Sequence, residues 1–97
     1  MPMYAWLGRF QADFDRLTPT QQALFLVAVG EFVDDLKAGR SFGNGLLVKG
    51  VNGAVGIFEM TWAPDGRATF HYGPPVIDGA PHIVWRRVGT HKIFGLR

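Results

Sequence analysis

Glu59-Met60-Thr61-Trp62-Ala63-Pro64-Asp65-Gly66-Arg67-Ala68-Thr69-Phe70-His71-Tyr72 alternates apolar and polar residues on both sides of a Pro-Asp-Gly turn signal. A period of two marks a half-buried strand, and two such runs around Pro-Asp-Gly read as a β-hairpin. The expected connection is a type I turn at Pro64-Asp65, with Gly66 left-handed in a bulge. That register sets Ala63 opposite Arg67, Thr61 opposite Thr69 and Glu59 opposite His71. Phe58, Met60, Trp62, Ala68, Phe70 and Tyr72 then share the other side. Because the two alternations agree, the apolar side is predicted to be core. The side with Glu59, Thr61, Arg67, Thr69 and His71 is predicted to be exposed or to line a cleft.

Before the hairpin the apolar period becomes helical. Phe10, Phe14 and Leu17 predict a short helix over residues 8–17. Thr18-Pro19-Thr20-Gln21 supplies a hydroxyl cap, a proline at the first helical position and a glutamine three residues after the cap. Phe25, Val29, Phe32 and Leu36 form one stripe of the second helix, which ends near Gly39. Gly30 inside it costs about 1 kcal/mol relative to alanine, which predicts a close approach to a neighbour.

After Gly39, glycine punctuates β-rich runs. A short strand is expected at Leu46–Lys49, a loop over residues 50–56, and the hairpin strands at Ile57–Ala63 and Arg67–Tyr72. Residues 73–81 are too rich in Pro and Gly for a central strand, and Ile83–Val88 reads as the last one. Alternation there groups Ile83, Trp85, Arg87, Gly89 and His91 against Val84, Arg86, Val88 and Thr90, and neither group is cleanly apolar. Two helices followed by a meander give an α+β order: a small antiparallel sheet with both helices on one face, in a single domain spanning residues 1–97. Phe25, Val29, Phe32, Leu36, Phe58, Met60, Trp62, Phe70 and Tyr72 are the expected core.

A hydrophobic share of 47% with 19% charged residues excludes a disordered chain. The absence of cysteine excludes disulfides and thiolate metal sites and fits a reducing cytoplasm. No signal-peptide pattern opens the chain, and no apolar run approaches the ~18 residues that span a bilayer, so a cytoplasmic protein without membrane contact is expected. Charge is unevenly placed. Residues 1–39 hold three cations against five carboxylates, whereas residues 40–97 hold seven against three. A basic end of this kind is either a solvated edge or a surface for an anionic partner, most commonly nucleic acid. His71, His82 and His91 are spaced too widely for a local zinc motif, and the glycine loops lack a phosphate-loop ending, so no metal or other cofactor is expected.

The run Arg86-Arg87-Val88-Gly89-Thr90-His91-Lys92-Ile93-Phe94 adds a family signal when read with the two helices, Lys49-Gly50, Gly56-Ile57-Phe58-Glu59 and Asp65-Gly66-Arg67. Together they resemble the RelE/ParE superfamily of bacterial toxins, in particular actinobacterial RelE-like proteins with a DGRATF hairpin and a terminal RR(V/I)GTH run. The resemblance spans nearly the whole chain. It implies a small curved antiparallel sheet with a helical pair on one face, and a toxin with a cognate antitoxin protein as partner. In the RelE branch it implies a ribosome-dependent endonuclease that cleaves messenger RNA in the ribosomal A site. Arg67 matches a recurring arginine of that branch, His91 a basic residue after the last strand, and Phe94 a nearby aromatic. Lys49, Arg86, Arg87 and Lys92 supply the surrounding positive charge. The sequence departs from the branch at Glu59 and Thr61, where some members carry lysines, and at Phe94, where a tyrosine is familiar.

Metal-free cleavage needs a base for the 2′-OH proton, cations for the phosphorane and an acid for the leaving 5′-oxygen. His91 is the residue suited to proton transfer and Arg67 to gripping the phosphate. Glu59 serves as base or orients His71, which contacts RNA, and Phe94 stacks on a base. The alternative is a non-nuclease homologue, either a gyrase poison or an RNA-binding module.

Overall fold

A computed structural model describes residues 3–38, 48–74 and 82–90. Its helical half follows from the local signals. α1 spans Gly8–Arg16 and α2 spans Pro19–Ala38. Between them Thr18 and Gln21 close a reciprocal cap: the Gln21 amide donates to Thr18 Oγ1 at 3.1 Å, and the Thr18 amide donates to Gln21 Oε1 at 2.9 Å. Gly30 does not serve close packing, because a Cβ there would meet nothing within 4 Å.

The strands are β1 (Met3–Trp6), β2 (Lys49–Gly50), β3 (Phe58–Ala63), β4 (Gly66–Tyr72) and β5 (His82–Thr90), in the spatial order β1-β5-β4-β3-β2. The part of the expected Leu46–Lys49 strand before Val48 lies outside the described residues, as do 75–81 of the expected loop. The fold class is the expected α+β, with one correction. β1 pairs parallel with β5, setting Tyr4 beside Ile83 and Trp6 beside Trp85, so the sheet is mixed at that edge. Four residues are too few to display a period, and their partner strand lies at the other end of the sequence.

The hairpin register also differs from expectation. Thr61 pairs with Arg67 and Glu59 with Thr69, a two-residue shift that keeps these side chains on their predicted face but moves Ala63, expected opposite Arg67, to the core side. The cause is at the turn. Ala63 pairs directly with Gly66, and Trp62 is bulged out of the ladder. Gly66 is not left-handed; the glycines with positive φ among the described residues are Gly53 and Gly56. Gly66 is needed for space, since a Cβ there would lie 2.6 Å from the Trp62 ring. Gly66→Ala is therefore expected to destabilise by about 1–3 kcal/mol, read as a fall in thermal midpoint.

β5 explains why neither of its sides looked apolar. Phe70 pairs with Trp85 but Thr69 with Arg87, so Arg86 is an extra residue and the strand changes parity there. Ile83 and Trp85 before the irregularity and Val88 after it are all buried. Both helices cover this apolar face. Trp85 meets Phe10, Phe25 and Phe32 at ring separations of 6.0, 5.6 and 5.5 Å, and Phe32 meets Phe70 at 5.1 Å. Of the expected core, Phe25, Phe32, Met60, Trp62 and Phe70 are buried, while Val29, Leu36 and Phe58 are partly buried against them. Tyr72 is 49% exposed; its ring packs edge-on against Phe58 and Phe70 at the strand end and its outer side meets solvent.

Candidate nucleic-acid interface

Pairing across the sheet gathers the polar residues on the face away from the helices. Lys49, Glu59 and Thr69 form one row across β2, β3 and β4; Thr61, Arg67 and Gly89 form the next across β3, β4 and β5. His71 sits on the same face, opposite Val84. His91, Lys92 and Phe94 lie outside the described residues, beyond the end of β5 at Thr90.

Glu59 and His71 do not face each other. Glu59 is buried and bonds the exposed Lys49, with Nζ 3.5 Å from Oε1. His71 Nδ1 instead accepts from Arg86 Nη1 at 3.2 Å. A guanidinium only donates, so the proton of the neutral imidazole is on Nε2. Partial burial, then the Arg86 and His82 charges, hold the His71 pKa below its ordinary 6.5. The unfolded chain therefore binds this proton more readily. The contribution of His71 to stability is full above pH 6.5 and is lost as pH falls. The thermal midpoint should drop between pH 7.5 and 5.5, and His71→Gln should shrink that drop.

Arg67 bends back over the hairpin turn. Its Nη1 donates to the carbonyls of Gly66 (2.9 Å), Pro64 (3.3 Å) and Ala63 (3.4 Å). One nitrogen thus fastens the guanidinium to the rim of the polar face.

The two neighbouring arginines diverge at the irregularity in β5. Arg86 turns to His71, whereas Arg87 turns to α1, where Nε donates to Asp13 Oδ2 at 2.6 Å and Nη2 to Oδ1 at 3.1 Å. The Val88 amide also donates to Asp13 Oδ2, at 3.2 Å. The Arg87 fork, expected among the RNA contacts, is filled by this buried carboxylate, whose hydrogen bond raises the Arg87 pKa. Asp13 escaped sequence reasoning, although an acid between Phe10 and Phe14 on a short helix was a signal. In the sequence His82 stands out as one of three widely spaced histidines. Its Nδ1 lies 2.8 Å from the Pro74 carbonyl, which it meets as donor. Among the described residues no group of three His, Cys, Asp or Glu could hold a metal ion.

Several solved structures share this arrangement along nearly their whole length. A metal-bound toxin from Helicobacter pylori superposes with a TM-score of 0.69 at 15% identity, covering 96% of this chain and 98% of that one. The toxin YafQ from Escherichia coli gives 0.64 at 10% identity, covering 97% and 98%. A RelB–RelE antitoxin–toxin complex from Methanococcus jannaschii gives 0.61 at 13% identity, covering 94% of each chain. The chain has the RelE-type toxin fold. No protein-family model and no curated protein matches its sequence. At these identities the likeness is one of fold. Within the RelE-type fold of this chain, the polar sheet face carries Lys49, Arg67, His71 and Arg86, and the helical layer carries a different surface. There β1, α1 and α2 enclose an apolar groove of about 360 Å³ lined by Tyr4, Trp6, Phe10, Phe14, Phe25 and Leu26. No described helix is long and apolar enough to cross a membrane.

Proposed function

We propose that this chain is the toxin of a type II toxin–antitoxin pair, a cytoplasmic ribosome-dependent endonuclease that cleaves messenger RNA in the A site and blocks translation. The observation that carries the reading is a RelE-type fold whose sheet face turned away from α1 and α2 bears Lys49, Arg67, His71 and Arg86 on adjoining strands. A cognate antitoxin as partner is supported by the apolar groove and by the exposure of Trp6, Leu26 and Val27, at 58%, 58% and 65%. Among the solved relatives, RelE of Methanococcus jannaschii and YafQ of Escherichia coli occur in complexes with antitoxins.

In this reading the 2′-OH attacks the adjacent phosphorus, and Arg67 holds the charge gathering on the phosphorane oxygens through its Nε and Nη2 donors. His91 exchanges protons, as an imidazole titrating near neutrality can. Glu59 meets Lys49 and not His71, so the role left to it is that of a base. Phe94 stacks on a nucleotide base, and Lys49, Arg86 and Lys92 add positive charge. Arg87 acts through Asp13, holding the strand that leads to His91.

Arg67→Ala is expected to lower cleavage about 10²–10³-fold and relieve growth arrest on induction. Loss of the turn contacts should cost about 1 kcal/mol, leaving the protein folded by circular dichroism. Undiminished toxicity of the folded variant would remove Arg67 from the site. It would favour the second reading, a gyrase poison or RNA-binding module, which the attachment of Arg67 to its own turn also supports.

A further inference from the structure

We infer that His71, Arg86 and His82 form a second phosphodiester-binding point on the polar face, so that a single RNA strand is gripped at two places along β4. The inference rests on the RNA reading above and adds to it the position of a second substrate contact.

The three side chains come together by register. His71 pairs with Val84, two residues from His82 along β5 and on the same face. The Gly73 amide donates to the His82 carbonyl at 2.8 Å, closing the ladder at that end. Arg86, the extra residue of β5, reaches back to His71 Nδ1. An arginine bonded to an imidazole is unusual company, since its ordinary partner is a carboxylate. Of the described carboxylates, Asp13 is held by Arg87, and Glu59, diagonal to His71 on β3, is held by Lys49. Val84 lies opposite His71 and carries no charge. The cluster is half-buried and carries the fixed charge of Arg86, which is an environment an anionic oxygen suits.

The polarity of each group suits a phosphate. Arg86 offers guanidinium donors, His71 presents Nε2–H, and His82, whose Nδ1–H is used on Pro74, adds an Nε2–H donor in its imidazolium form. Arg67 lies four residues from His71 on the same face of β4, about 13 Å away. That is roughly two nucleotides of extended strand, so the two points bind different phosphates of one chain. An anion at the second point favours protonated imidazole, so binding takes up protons and strengthens as pH falls.

The test has two arms. In the first, inorganic phosphate is titrated into the intact protein while the imidazole resonances are followed by NMR. The His71 and His82 resonances should move in its presence, and no response would overturn the site. In the second, a single-stranded 2′-O-methyl hexanucleotide, which cannot be cleaved, is titrated by fluorescence anisotropy at several salt concentrations. Arg86→Gln should weaken binding about tenfold and flatten the logarithmic salt slope by about 0.7, the share of one phosphate. His82→Ala should weaken it in the same direction, and both variants should be checked for an unchanged fold. Wild-type affinity and slope in folded Arg86→Gln would overturn the second point while leaving RNA binding intact. A phosphate response without any binding of the hexanucleotide would overturn the RNA reading itself.

Discussion

Asp13→Ala is expected to lower the thermal midpoint by roughly 12–20 °C, the equivalent of about 3 kcal/mol in a domain of this size. Asp13 is 8% exposed and the Arg87 side chain 18%, so removing the carboxylate strands a guanidinium and the Val88 amide with little water to replace it. The penalty is that of an orphaned charge, not the net worth of the pair, because both ions were desolvated to form it. Replacing both partners with apolar side chains should therefore recover much of the loss. Thermal unfolding of Asp13→Ala, Arg87→Met and the double variant checks this. A double variant as unstable as the sum of the singles would contradict it.

Phe70→Ala should cost about 3–5 kcal/mol, enough to leave the chain marginal. Phe70 is fully buried and touches both layers, with ring centroids 5.1 Å from Phe32 on α2, 5.4 Å from Trp85 on β5 and 5.6 Å from Phe58 on β3. No one neighbour can fill the space it leaves without losing its own packing. Phe70→Leu, which keeps most of the volume, should cost about 1–2 kcal/mol. Urea denaturation of both variants gives the comparison, and equal midpoints would show that Phe70 is not central to the core.

These two residues mark the boundary of what the sequence makes legible. Phe70 is announced by its own strand, since a period of two around Pro-Asp-Gly is local information. The same holds for the Thr18–Gln21 cap, whose four residues contain both halves of the motif. Asp13 and Arg87 are 74 positions apart, and no local pattern joins them. β1 was missed for the same reason, as its pairing with β5 depends on a strand at the other end of the chain. The parity change at Arg86 hid the apolar face of β5, because one inserted residue reverses every position after it.

The candidate site divides along similar lines. That Arg67 and His71 share a polar face follows from the hairpin alternation and holds despite the two-residue error in register. Which groups pair on that face depends on the register itself. Hence Glu59 meets Lys49, and His71 meets Arg86 across a different strand pair. Sequence could show basic residues crowding the last strand, but not that Arg86 and Arg87 part company there.

The most direct test of the nuclease reading is to induce the protein briefly and map messenger RNA ends on translating ribosomes, beside Arg67→Ala and His91→Ala controls. The predicted result is a set of new ends within coding regions, phased with the reading frame at the A site, abundant with the unaltered chain and reduced at least 10²-fold in both folded variants. Growth arrest with intact messenger RNA, or cleavage undiminished in both variants, would contradict it.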